Sequence, residues 1–541
     1  MKKIIFLCFT ALVFQSCADM LEEKNKTKAV PSYFDTAPGF EDAVKGTYSY
    51  MRSFYATERG MTLSVFGTDE YTNGSDGSFK FVNQYTSQFD SRTTILSELW
   101  TDFYRGINTA NTAVDRSENI VGLDATLKTQ RVAEVKFLRA QFYFILVQLF
   151  GPIPLTLHET TTASTEAHRA SVSDIYTAIV EDLEFAVANL PATQPNWGRA
   201  TKPAAQHLLA RVHLTRATMD PAATAQEEYQ KAADLSNEVL TKYSFKLLTD
   251  YAKVFEQGSG EINDEVIWSV QYTSDPLTNG GGNNAHVFFL MEYDVQPGMM
   301  RDIANGRPFK RFKPTNYTLG LYDHTKDGRY DKNFKQVFYC NKPGTYTING
   351  KSVTLATGDT TMWLPGVELA ADVIAQKNFQ VITPSKYTEK LFPSLRKYLD
   401  PLRPDVTTFE GSRDFLAFRL AETYLIRAEA LLMLGQPGAA DMINKVRRRA
   451  AVPGKEADME ITDSDVTLDF ILDERSRELL GEQHRWFDLV RTKKLVERVK
   501  LYNAQAKDNI KDTNVLRPIP QDQIDRTSNS DGSAFLQNPG Y

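Results

Sequence analysis

The stretch that most limits what this chain can fold into is Arg413–Trp486. From Arg413 to Leu434, the residues Ala417, Leu420, Ala421, Tyr424, Ala428 and Leu431 recur at steps of three or four. That spacing predicts one long amphipathic helix. Gly435-Gln436-Pro437-Gly438 ends it, as a glycine cap followed by proline should. A second helix carries Ala440, Ile443, Val446 and Ala450 on one face, and Pro453 stops it. The prediction is an antiparallel helix pair with small residues where the two helices touch. Further helices are predicted at Leu468–Leu480 and Arg485–Val499.

Composition places the chain among globular proteins, since 42% of its 541 residues are hydrophobic and 24% charged. A net charge of −6 argues against nucleic acid as a partner. Lys2-Lys3 followed by the apolar run Ile4–Phe14 reads as a leader over 1–16, too short to span a bilayer. Ser16-Cys17 resembles a bacterial lipoprotein cleavage box, which makes Cys17 the lipidated first residue of the mature chain. Cys8 falls in the leader and Cys340 is then alone, so no intramolecular disulfide is expected. Asp19, Glu22 and Glu23 follow in a polar tether, 17–38. They fit either a surface-export signal of Bacteroidota lipoproteins or ordinary tether composition.

Helices are predicted at Phe40–Tyr55, Ser97–Val121, Leu127–Phe150 and Ser173–Leu190, and from the Thr201 cap to Met219 with Ala225–Thr241 as its mate. Glu58–Arg92 has no sustained period and is rich in Gly, Ser, Asn, Thr and aromatics. It reads as a long ordered loop, a kind that is usually functional. The middle of the chain, 272–395, is also irregular, with Gly280-Gly281-Gly282-Asn283-Asn284 and a hairpin signal at Asn349-Gly350 within Thr345–Leu355.

Leu420-Ala421 with Tyr424, and Ala225 with Tyr229 and Ala232, are similar to positions of the two helices of a tetratricopeptide repeat. Longer phrases occur in a fixed order. They are Glu134–Ala140 with Leu149–Leu155, Gly198–Lys202, Arg419–Glu422 with Ala428–Ala430, and Glu474-Arg475, Glu478-Leu479, Glu482 with Arg485–Leu489. Pro518–Pro520 and Gln537–Tyr541 complete the set. In that order they resemble the SusD/RagB family of surface nutrient-binding lipoproteins, from Cys17 to Tyr541. The resemblance implies a mainly α fold. Tetratricopeptide-like helix pairs form a scaffold at 39–271 and 396–510, and a loop-rich, ligand-binding insertion at 272–395 carries minor β elements. All of it belongs to a single body, 39–541. The resemblance also implies a glycan ligand, or in some members a peptide, and a SusC-like TonB-dependent transporter as partner in the outer membrane.

Glu474, Glu478 and Glu482 share a helix face and, with Asp488, could supply a glycosidase acid/base pair. Arg475, Arg477 and Arg485 among them favour ion pairing instead. The seven histidines lack metal-site spacing, and no nucleophile or phosphate-binding motif is present. The expected protein is therefore not an enzyme, with a surface glycoside hydrolase as the less favoured alternative. No cofactor is expected. Calcium is the one alternative, through the oxygens of Asp69, Glu70, Asn73 and Asp76, whose spacing does not match an EF-hand. Aromatic and amide residues in the two irregular regions are the stronger signal: Asp69, Tyr71, Asn73, Phe81 and Tyr85, then Asn283, Phe288 and Tyr293, and later Trp363, with Phe309 and Tyr330 nearby in sequence. Such residues pack on sugar C–H faces and bind hydroxyls. They also pin long loops to a body, and sequence alone does not separate the two roles.

Overall fold

The structure, a computed structural model, describes residues 31–541. The leader, Cys17 and most of the tether lie outside the described residues. Helix α1 (Ala37–Ser49) starts where Thr36 accepts a hydrogen bond from the Gly39 amide. It packs on α2 (Thr94–Arg116), which packs on α3 (Ala125–Phe150). Every α3 residue from Val132 to Phe150 except Lys136 is buried, so this stretch of the helix is enclosed on all sides, its polar members Glu134, Arg139, Gln141 and Gln148 included. Then α4 (Val172–Asn189), α5 (Lys202–Met219) and α6 (Ala225–Lys242) follow, each packed on the one before. As expected, Thr201 caps α5 through the Ala204 amide.

The chain then leaves this row of helices and returns to it. Helix α7 (Leu420–Leu434) packs on α6 and carries α8 (Ala439–Ala450) and α9 (Leu468–Leu479). Ala210, Ala232, Ala233 and Ala430 meet where α5, α6 and α7 approach. Ala421 and Ala428 are fully buried. Leucine at either site should overpack and cost about 1–3 kcal/mol of unfolding free energy. Chemical denaturation measures it, and a change near zero at both would mean the helices do not approach closely there.

Two predicted helices are corrected. Arg413–Leu434 is not one helix. Phe415–Arg419 is a buried β-strand paired antiparallel with Val266–Val270, and the helix begins only at Leu420. Phe-Leu-Ala-Phe-Arg is a short apolar run, and periodicity cannot tell a buried strand of that length from a buried helical turn. Its partner strand lies far upstream. Arg485–Val499 is likewise two helices, α10 (Arg485–Arg491) and α11 (Leu495–Tyr502). Lys493 sits between them at φ 59. The turn closes by the Lys494 amide bonding to Leu489 O and the Lys493 amide to Val490 O, with no Gly or Pro to announce it.

The hairpin is found as predicted. Gly344–Ile348 pairs with Lys351–Leu355, and Asn349 and Gly350 both have positive φ, the geometry a two-residue turn of this kind requires. The insertion otherwise does more than lie on a scaffold. Val287, Phe288, Phe289 and Phe312 belong to the same hydrophobic core as Phe103, Phe142 and Trp486. Glu58–Arg92 also differs from an ordinary surface loop. It contains short helices (Glu58–Ser64, Lys80–Gln84) and the strand Tyr71–Asn73, and most of it up to Tyr71 is buried.

The ordered phrases of the sequence turn out to be each other's partners. Glu134 takes hydrogen bonds from Arg199 and Tyr48. Arg419 bonds Glu478 and Glu482, Arg475 bonds Asp488 and Glu422, and Asn538 donates to the carbonyls of Phe150 and Arg517.

Candidate ligand-binding surface

The two irregular regions are knitted together by a β-ladder. Strand Tyr71–Asn73 pairs antiparallel with Phe312–Pro314, Tyr71 opposite Pro314 and Asn73 opposite Phe312. The pairing runs on past the strands: the Gly74 amide bonds Arg311 O at 2.9 Å, and the Asp76 amide bonds Lys310 O at 3.3 Å. Residue 74 must be glycine here, because a Cβ would stand 2.1 Å from the Lys310 carbonyl oxygen. On the other side, the Arg311 and Phe309 amides bond the carbonyls of Phe288 and Val287, each at 2.9 Å. The segment 74–81 is thereby set beside 307–311.

This juxtaposition makes a surface with rings and polar groups interleaved. Phe79 and Phe81 are half-buried and meet edge to face, ring centroids 6.2 Å apart. Phe309, also half-buried, has the guanidinium of Arg311 5.2 Å and that of Arg307 5.3 Å from its ring centroid. Arg311 is held in turn by Glu58 at 2.9 Å and Asp76 at 3.1 Å, and its side chain lies against Gly77. Burial raises the Glu58 carboxyl above its ordinary range, with Arg311 opposing. Gln505 anchors the ladder from behind, accepting from Thr72 Oγ at 2.6 Å and the Asn73 amide at 2.9 Å and donating to Glu389. Half-exposed rings for C–H faces, with carboxylate, guanidinium and amide groups beside them, form a shallow surface suited to polyhydroxylated ligands.

Most residues nominated from sequence are not on this surface. Asp69, Tyr71, Asn73, Tyr85, Asn283, Phe288 and Tyr293 are all buried and are corrected from ligand contacts to supports. Both carboxylate oxygens of Asp69 accept from Arg485, and Arg498 adds a third bond at 3.1 Å. Tyr71 packs edge-on to Phe289, the Tyr85 hydroxyl caps Gly67 O, and Tyr293 stacks on Phe338. Asn283 pairs with Gly411 and donates to Arg413 O. The reason is physical: a long segment without regular structure must anchor itself, and large aromatics do this by entering the core. Phe81 and Trp363 remain half-exposed. Trp363 stands elsewhere, on a three-stranded sheet opposite Val337, and Tyr330 is buried. Arg307, Arg311, Glu58 and Gln505 were not legible as site residues. Each is set there by a contact across the fold, which no local spacing encodes.

The oxygen donors proposed for calcium do not converge. Asp69 is bound by arginines, one Glu70 oxygen accepts from Ser476, and Asp76 pairs with Arg311. The carboxylates of the α9 region are equally committed. Glu474 bonds Arg329 at 2.7 Å, Arg447 at 2.8 Å and Arg477 at 2.9 Å, and is held below the ordinary carboxylate range against the push of burial. Burial also pushes Glu478 up, but Arg449, Arg419 and Arg329 outweigh it and hold the group at about 2. Glu482 is shared between Arg419 and Lys397. Carboxylates this firmly ionised and buried do not cycle protons as a glycosidase acid must.

Comparison with known proteins agrees with this fold. Residues 264–541 match the SusD family, and residues 19–214 match a family described as starch-binding and associating with the outer membrane. A SusD-like protein P25 of Formosa agariphila is 26% identical, covering 96% of this chain and 95% of the relative. The starch-binding protein SusD of Bacteroides thetaiotaomicron is 26% identical, covering 70% of this chain and 67% of the relative. Among solved structures, a laminarin binding SusD-like protein superposes with a TM-score of 0.70 at 22% identity, covering 94% of this chain and 100% of that one. Surface glycan-binding protein A from Bacteroides fluxus gives 0.70 at 21%, covering 93% and 99%.

Proposed function

The chain belongs to the SusD family, and on that premise we propose that it is a non-catalytic capture protein. It takes up an oligosaccharide or polysaccharide segment at the outer surface of the cell and passes it to a SusC-like TonB-dependent transporter. The observation that carries this reading is the β-ladder that sets the segment of the half-buried Phe79 and Phe81 beside that of the half-buried Phe309 and Arg311. The starch-binding and laminarin-binding relatives support a glycan as ligand. The arginine-locked carboxylates oppose a hydrolase. An open surface buries little ligand and must release its cargo, so dissociation constants should be on the order of micromolar to millimolar.

Calorimetry against starch- and laminarin-derived oligosaccharides and a peptide panel, with product analysis, tests the reading. Saturable glycan binding with no released fragments supports capture. Binding confined to peptides moves the protein to the peptide-capturing alternative, and released sugars make it a hydrolase.

The anchor is part of the same proposal. Lipid on Cys17 contributes about 0.8 kcal/mol per buried methylene, and two or more chains hold stably where one does not. Cys17→Ala should therefore leave a folded protein that no longer sediments with outer membrane. Undiminished membrane association of that variant would remove the anchor from the account.

A further inference from the structure

On the face formed by α2 and the irregular segment 154–168 lies a cleft of about 770 Å³, whose lining shares no residue with the surface described above. That volume is within the range of about 300–1,000 Å³ typical of small-ligand sites. Its floor carries two aromatic rings one helical turn apart. Trp100 and Tyr104 have centroids 5.1 Å apart and planes inclined by 39°. Both are fixed by their polar ends: Trp100 Nε1 donates to Gln523 Oε1 at 3.0 Å, and the Tyr104 hydroxyl to Pro154 O at 2.7 Å. The facing wall is fixed too. Asn111 Nδ2 donates to the carbonyls of Thr156 and His158, at 3.0 and 2.9 Å, and Asn108 Oδ1 accepts from the Thr160 amide at 2.7 Å. A cleft braced this way is preformed and loses little entropy on binding.

Most lining groups left without partners are neutral. Among the described residues, the Thr101 and Thr160 hydroxyls and the Asn108 amide nitrogen line the cleft and make no hydrogen bond. Thr101 and Asn108 are half-buried. The charged or titratable groups that reach the cleft are engaged or open to solvent: Arg105 lies 3.8 Å from Asp102, Glu166 accepts from the Ser530 amide, and His168 is exposed. The half-buried Tyr104 ring, backed by the buried Trp100, offers a face to C–H bonds, and free hydroxyl and amide groups offer hydrogen bonds to hydroxyls. Among the described residues, no buried unpaired charge lines the cleft to neutralise an ionic ligand.

We propose that this cleft is a second ligand site, for a short neutral oligosaccharide, separate from the surface around Phe81 and Phe309. It holds one short chain or chain end, while the loop surface holds a longer segment.

The test is calorimetry on the mature chain with maltotriose and laminaritriose as probes and trigalacturonic acid as the anionic control. Thr160 is exposed, so Thr160→Trp fills the cleft with little risk to folding; Thr101→Ala removes one free hydroxyl. With Phe81 and Phe309 both replaced by alanine, binding of at least one neutral trisaccharide should persist. It should weaken at least tenfold when Thr160→Trp is added, and measurably with Thr101→Ala. That result would hold even if the loop surface bound no glycan, so the two readings fail separately. Three outcomes overturn the proposal: no trisaccharide binding once Phe81 and Phe309 are gone, residual binding indifferent to Thr160→Trp, or trigalacturonic acid bound as well as the neutral probes.

Discussion

Glu478→Gln is expected to destabilise the fold by about 3–5 kcal/mol, the cost typical of breaking a buried ion pair from one side. Glu478 is fully buried and faces Arg329, Arg419 and Arg449. An amide in its place leaves three buried guanidiniums short of a counter-charge. The corresponding change Asp522→Asn, at a carboxylate that meets Arg526 at 3.8 Å in full view of solvent, should leave the melting temperature unchanged. Equal, small effects at both sites would mean the cluster is plastic or hydrated.

The network also sets how stability depends on pH. Glu478 and Asp488 are held at about 2 in the fold, whereas unfolded carboxyls titrate near ~4. Their contribution is complete above that pH and is lost as pH falls from about 4 to about 2. Glu70 and Asp414 act with the opposite sign. Burial pushes them up to about 7 and about 6, so the stability tied to their neutral forms is lost as pH rises through those values. Thermal stability should therefore peak between about pH 4 and 6. Glu70→Gln should raise the melting temperature at pH 8 and have little effect at pH 5. A maximum at pH 8, unmoved by Glu70→Gln, would contradict this assignment.

Replacing Phe81 and Phe309 together with alanine should abolish detectable oligosaccharide binding at the loop surface while leaving the unfolding midpoint close to wild type. Both rings are half-exposed, so little core is lost. Alanine at Tyr71 or Tyr293 should do the reverse. These side chains are buried, and truncation should cost about 3–5 kcal/mol, with binding per folded molecule intact. Calorimetry beside denaturant titration separates the two classes. Glycan affinity that survives at the loop surface in the double variant, or vanishes in folded Tyr71→Ala, would move the site. The half-exposed Trp363, on the same sheet as a Tyr339 that is 57% exposed, would then be the next aromatic surface to test.

Helical periodicity by itself determined the helical body. The stripes at Leu127–Phe150, Ser173–Leu190 and Ala225–Thr241 lie within a residue or two of α3, α4 and α6, because the apolar repeat of each is written locally. Thr201 and Asn349-Gly350 were equally legible, since capping and tight turns depend on a few adjacent residues. The order of polar phrases such as Gly198–Lys202 and Glu474–Leu489 pointed to the family. Sequence could not show that Arg199 meets Glu134, or Arg419 meets Glu478. Only the tertiary structure decided what was set by distant partners. Phe415–Arg419 became a strand because Val266–Val270 lies beside it, and α10 parted from α11 at a turn without Gly or Pro. Tyr71 and Phe81 are both loop aromatics with the same chemistry. One is buried against Phe289 and the other half-exposed beside Phe79, because side-chain type states an affinity for burial, whereas the face a ring presents is fixed by what the fold packs against it.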